Sequence, residues 1–134
     1  MNVFINLAVA DLARTRAFFS GLGFGFDDRF ADENAIAMKI SDAATAMLLR
    51  REFFQTFTPH ALTDGRQTEV LLALQLDNRA AVDAMVARAL ATGGSTVRPP
   101  QDHGFMYGHA FADPDGHIWE PFWMDPAAME PKDG

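Results

Sequence analysis

Asp113-Pro114-Asp115-Gly116-His117-Ile118-Trp119-Glu120 lies near the C-terminus of this 134-residue chain, and its reading decides the architecture. Asp-Pro-Asp-Gly is a tight-turn sequence. Pro114 presets φ at the first turn position, the Asp carboxylates accept nearby backbone N–H groups, and Gly116 eases the exit. An alternating strand follows, and it carries Glu120. A carboxylate on a half-buried strand is costly unless it has a partner, so Glu120 is either a structural oddity or part of a site.

Working outward, the turn sits between two strand candidates, Met106–Asp113 and His117–Met124, with a third at Ser95–Arg98. Upstream, Val70–Leu76 is a strongly apolar strand. Asp77-Asn78 then caps a helix whose Val82, Met85, Val86, Ala89 and Leu90 form one stripe, and Gly93-Gly94 ends it. The first half follows the same plan. Val3–Val9 is a strand broken only by Asn6, and Asp11 sits at an N-cap position. Leu12, Thr15, Phe18, Phe19 and Leu22 then share a helix face that Gly21 and Gly23 terminate. Phe24–Phe30, Ala35–Ile40 and Thr45–Arg50 are three further strand candidates, parted by Asp32-Glu33-Asn34 and Ser41-Asp42. The order is β-α-β-β-β twice: module one at about 2–51, a partly packed linker at about 52–67, module two at about 68–125, and a loose tail over 126–134. Neither half covers both faces of its own sheet, so a single domain with one core is expected.

A chain of this length buries roughly two-thirds of its unfolded surface. Its composition, 49% hydrophobic and 22% charged, is that of an ordinary folded domain. No apolar run approaches the roughly 18 residues of a membrane span. Met1-Asn2-Val3-Phe4 lacks the basic start of a signal peptide, so a cytoplasmic location is expected. The absence of cysteine removes disulfides, thiolate metal sites and cysteine nucleophiles. A net charge of −7 argues against a nucleic-acid partner and modestly favours a cationic ligand.

The doubled β-α-β-β-β plan, the opening strand–Asp11-Leu12–helix–Gly21-Leu22-Gly23-Phe24, and the closing Asp113–Glu120 stretch together resemble the vicinal oxygen chelate superfamily. That superfamily includes glyoxalase I, the bleomycin-resistance proteins and the extradiol dioxygenases. The resemblance spans residue 3 to about 124 and implies an α+β, glyoxalase-like fold. In it, two βαβββ modules pair into an incomplete barrel around a cleft, commonly within a homodimer. In metal-dependent members a divalent cation, held by His, Glu or Asp from the first and last strands of each module, acts as a Lewis acid on vicinal substrate oxygens.

Carried over position by position, the resemblance keeps one ligand. Glu120 matches the carboxylate of the final strand. The first-strand position, counted back from Asp11, falls on Phe4. The fourth-strand position falls within Ala46-Met47-Leu48-Leu49, and the fifth-strand position, counted back from Asp77-Asn78, on Leu71. Asn6, the only polar residue of its strand, is a poor ligand for a transition metal. No cofactor is therefore expected; a divalent metal would require an unusual set joining Glu120 to His109 or His103.

Glu120 lies between Ile118 and Phe122 on its face of the strand. It is a candidate general base if desolvated, or a structural carboxylate bonded to a backbone group or to an arginine such as Arg50. Tyr107 and His109 share strand parity, so they either face the cleft together or form a half-exposed edge. His117 has the opposite parity to Glu120 and reads as a turn or surface residue, His60 as a solvated linker residue, and His103 as a loop residue. Phe4, Asn6, Met47, Leu71, Tyr107, His109 and Phe122 are the candidate cleft residues. Met38, Phe105 and Met106 are further apolar candidates, each equally suited to the core. The functional expectation is a metal-independent protein that binds a small molecule in the cleft. The alternative is a glyoxalase-like lyase or isomerase with Glu120 as base; a metal-dependent dioxygenase ranks behind both.

Overall fold

In the computed structural model, which describes residues 1–129, the apolar run Val3–Val9 forms strand β1. Asp11 caps helix α1 (Leu12–Gly21), its carboxylate accepting the Arg14 N–H at 3.1 Å. Thr15, Phe18 and Phe19 turn inward from α1, and Phe18 and Phe19 meet edge to face at 4.9 Å. The helix stops where Gly23 takes φ +100°, a conformation that side chains with a Cβ rarely adopt. Strands β2 (Gly25–Phe26), β3 (Ala35–Ser41) and β4 (Ala44–Arg50) complete the sheet in the order β1-β4-β3-β2. β1 and β4 run parallel, with Asn6 beside Met47.

The chain divides after Gln67 into two units, each with its own sheet and long helix, and the class is α+β. In the second unit β5 (Leu71–Gln75) leads to α3 (Arg79–Ala91), which Asn78 caps by accepting the Ala81 N–H at 2.7 Å. β6 (Ser95–Thr96), β7 (Gln101–Asp102), β8 (Met106–Gly108), β9 (Phe111–Ala112) and β10 (Ile118–Met124) follow. β10 is the hub. It pairs in parallel with β5 on one edge and antiparallel with both β8 and β9 on the other. This repeats the parallel first-to-last pairing of the first unit. Trp119 and Phe111 point to the α3 side and are fully buried, and Val82, Val86 and Ala89 of α3 are buried with them in the core.

Several sequence expectations change here. Phe24–Phe30 is a two-residue strand followed by a 3-10 turn at Asp28–Phe30. The Asp27 carboxylate takes the Arg29 N–H and guanidinium, which satisfies the chain locally and removes it from the ladder. Met106–Asp113 is two strands rather than one. The pairings Gly108–Phe122 and Phe111–Trp119 share one register, so His109 lies opposite Pro121, whose ring nitrogen has no hydrogen to return. One bond, His109 N–H to Pro121 O at 3.1 Å, survives at that step. Leu90 stays 40% exposed although it completes the helical stripe.

The segment after β4 is ordered. A short helix, α2 (Arg51–Phe54), runs into a 3-10 turn at Gln55–Phe57, and the Gln55 amide ties down the carbonyls of Thr58 and His60. The expected loose tail begins with a 3-10 turn at Pro126–Met129 that Asp125 caps through the Ala127 N–H. The rest of that expectation, 130–134, lies outside the described residues.

The Asp113 turn is the most constrained point of the second unit. Asp113 is 3% exposed and accepts the N–H groups of Asp115 (2.9 Å) and His117 (3.1 Å) and the Trp119 indole N–H (3.0 Å). Burial pushes its carboxyl above the ordinary value, against the opposing pull of His117 and these donors. His117, expected as a turn or surface residue, does close the turn but is only 6% exposed, its Nδ1 2.6 Å from Glu69 Oε1. The turn folds it back so that Asp113 N–H reaches the His117 carbonyl.

Removing the acceptor should be severe. Asp113→Ala leaves buried donors unmatched and is expected to cost about 3 kcal/mol or more in urea unfolding followed by tryptophan fluorescence. A second test concerns Gly94, where a Cβ would lie 2.8 Å from the Ala89 carbonyl oxygen and 2.9 Å from that of Ala112. Gly94→Ala should cost about 1–3 kcal/mol. Gly25→Ala, with no atom within 4 Å of the new methyl, should be neutral or mildly stabilising.

Candidate functional site

The face of β10 opposite Trp119 carries Glu120, Phe122 and Met124 in alternation, beside Ala73 of β5 and Gly108 and Met106 of β8. These residues, with Arg98, Gln101, His109 and Pro121, line a cavity of about 340 Å³ within the second unit. Its floor is mostly apolar, with two methionines and a phenylalanine supplying a soft, adaptable surface. Gly108 lies beside Phe122, and a methyl there would make ordinary van der Waals contact with the Phe122 Cβ at 3.8 Å.

Arg98 is the residue that reorganises the reading of Glu120. Its Nη2 donates to Glu120 Oε2 in a close ion pair, with the two side chains 30% and 22% exposed. Of the arginine–carboxylate pairs among the described residues, this is the one with both partners less than a third exposed. Arg50, the arginine suggested by sequence, pairs instead with Glu52 and with the Asn34 side-chain Oδ1 in the first unit. A usable signal existed. Between residues 68 and 125 the basic side chains are Arg79, Arg88 and Arg98, and the first two belong to the helix.

The remaining candidates separate. His109 borders the cavity with Glu120 and Phe122, and its Nδ1 accepts the Ala110 N–H at 2.9 Å. Tyr107 is held on the helix side. Its hydroxyl donates to Asp83 at 2.6 Å, which pushes the phenol above its usual value, and Arg79 lies 5.1 Å from its ring centre. Leu71 is on the cavity face of β5 but 54% exposed and outside the lining. Phe4, Asn6 and Met47 belong to the first unit. Phe4 is 59% exposed, and Asn6 lines a separate cavity of about 250 Å³ with Leu49, Phe54 and Phe57. Met38 is fully buried core, Phe105 is exposed, and His103 lies beside Phe105 in the exposed loop.

A family model for the glyoxalase/bleomycin resistance protein/dioxygenase superfamily matches residues 3–120. The chain belongs to this superfamily. Its glyoxalase-like fold recurs in a hypothetical protein, SA1046, from S. aureus at 25% identity, covering 92% of this chain and 93% of that one with a TM-score of 0.80. A glyoxalase-related enzyme from Fulvimarina pelagi, also 25% identical, covers 92% and 87% with a TM-score of 0.79. The bleomycin resistance determinant encoded on transposon Tn5 shares the fold at 20% identity, covering 92% and 98% with a TM-score of 0.64. None of the curated proteins matches the chain. No helix among the described residues is long and apolar enough to cross a membrane.

The residues at the superfamily's ligand positions do not fit a divalent metal. Phe4, Leu71 and the Ala46–Leu49 stretch offer carbon or, at Met47, a thioether, whereas catalytic divalent cations want imidazole and carboxylate donors. Glu120 is already engaged by a guanidinium. No group of three or more His, Asp or Glu suited to a metal occurs among the described residues.

The rim of the cavity depends on a second charged contact. Arg79 grips Asp102 through both Nη atoms at 2.7 and 2.9 Å and also bonds the Gly104 carbonyl, fastening the β7–β8 hairpin that brings Gln101 and Met106 to the cavity. Arg79, with the Gly104 N–H, holds the Asp102 carboxyl down to about 2. A depressed native value means the contact supports the hairpin above the ordinary 3.8 and is lost as pH falls toward 2. The protection of the Gln101–Met106 amides, taken relative to their intrinsic exchange rates, should therefore fall across that interval. Asp102→Asn should exchange fast already at neutral pH and show no such step.

Proposed function

We propose that this chain binds a small organic molecule in the cavity beneath Arg98 and Glu120, without the divalent metal of its metal-dependent relatives. The observation that carries the reading is the Arg98–Glu120 pair. The one carboxylate retained at a superfamily ligand position has a guanidinium for a partner, on the wall of a cavity with an apolar floor. Such a cavity, about 340 Å³ with a few polar groups, has the size and character of small-ligand sites. Kinship of fold with a bleomycin resistance determinant suits binding without turnover. As in the bleomycin-resistance members that the sequence resembles, a homodimer is the proposed working form, to be checked by light scattering.

The alternative, a lyase or isomerase with Glu120 as general base, draws on the glyoxalase-related enzyme from Fulvimarina pelagi. Arg98 weighs against it. The guanidinium holds the carboxylate through Oε2 and fixes its direction, so a substrate proton would have to be placed within reach of Oε1.

Two measurements test the proposal. Nickel, zinc and iron(II) titrated calorimetrically into chelator-treated protein should give no saturable heat at micromolar concentrations. A one-to-one site abolished by Glu120→Ala would overturn the metal-free reading. Methyl-labelled methionine spectra, recorded against a panel of cationic drugs and hydrophobic oxo-compounds, should show Met106 and Met124 moving together with the compound unconsumed. Turnover that disappears in Glu120→Gln would establish the enzymatic alternative instead.

A further inference from the structure

Resting on that reading, we infer that Arg98 is the ligand-recognising cation of the cavity, and that the site selects a carboxylate attached to an apolar body. Arg98 spends one donor atom, Nη2, on Glu120. Among the described residues its Nε and Nη1 have no hydrogen-bond partner, although the residue lines the cavity. Nη2 carries a second hydrogen, and whichever of the two Glu120 takes, the other runs parallel to the Nε–H or to an Nη1–H, so one two-donor edge that matches the two oxygens of a carboxylate remains. Pro99-Pro100 follow directly and fix φ at two successive positions, so the backbone that carries the guanidinium is stiff. Glu120, anchored mid-strand on β10, holds the other end of the group. The cation is thus positioned before any ligand arrives.

The neighbouring surface defines the rest of the ligand. Met106, Phe122 and Met124 offer an apolar floor next to the guanidinium, which suits an aromatic or branched body. The net charge of −7 opposes anions at long range, but the Debye length is only about 8 Å at physiological ionic strength, so the bare edge of Arg98 dominates at contact. Glu120 has two opposed effects: it orients Arg98, and it repels an arriving carboxylate. Neutralising it should strengthen anion binding, whereas a purely structural carboxylate would weaken every ligand when altered.

The test holds one body constant and varies its charge. Phenylacetate, methyl phenylacetate and 2-phenylethylamine are titrated into the full chain, with the Met106 and Met124 methyl resonances as readout. Phenylacetate should bind roughly tenfold tighter than its methyl ester or the amine, the scale of a charge-assisted contact. Glu120→Gln should tighten phenylacetate several-fold. The double variant Arg98→Met/Glu120→Gln leaves no unpaired charge at the site; with its fold verified by circular dichroism, it should bind acid and ester alike. Equal affinities in the wild type, preference for the amine, or acid selectivity that survives the double variant would each overturn the assignment of Arg98 while leaving the cavity a binding site. If none of the three compounds moves either methyl group at millimolar concentration while members of the wider panel do, the assignment also falls. If the panel fails as well, the binding function falls with it.

Discussion

The buried carboxylate of Asp113 governs the second unit. It gathers the Trp119 indole and two backbone N–H groups around one side chain that solvent barely reaches. Binding the indole fixes which face of β10 turns toward the helix. Trp119, with no exposed surface, removes roughly 150–250 Å² from water, worth about 4–6 kcal/mol at 25 cal/mol per Å². A partly exposed ion pair such as Arg98–Glu120 contributes about 1 kcal/mol or less by comparison. The direction of β10 is therefore set by the tryptophan. Glu120 goes to the opposite face because strand neighbours must alternate.

Pro121 adds the second constraint. Lacking an N–H, it interrupts the ladder at His109 while leaving the register on either side intact. The third strand of the unit is split there, and the interruption lies at the edge of the cavity, with His109 and Pro121 both in its lining. The superfamily fold carries parallel first-to-last strand pairing in each unit, and the positive charge beside Glu120 comes from Arg98 of the same unit.

Features with a local cause were legible in the sequence. Asp11 and Asn78 cap helices because a side-chain acceptor ahead of an apolar stripe has few other uses. Gly23 and Gly93 end them with positive φ. The Asp-Pro-Asp-Gly turn and the strand after it were readable for the same reason. Where a local rule met competition, the reading was less secure. Phe24–Phe30 has the aromatic content of a strand, but Asp27 claims its own neighbours for a tighter turn. Tyr107 and His109 share parity, yet Tyr107 pairs with Trp123 on the helix face and bonds Asp83, while His109, at the break opposite Pro121, borders the cavity.

By itself, then, the sequence determined the two βαβββ units, their helix boundaries and the superfamily, because each depends on residue type at a fixed distance along the chain. Only the tertiary structure decided the partner of Glu120 and the burial of His117 against Glu69. Both contacts join residues far apart in sequence, Arg98 to Glu120 and Glu69 to His117. No periodicity or turn propensity encodes which of several cations or carboxylates the folded sheet brings within hydrogen-bonding reach.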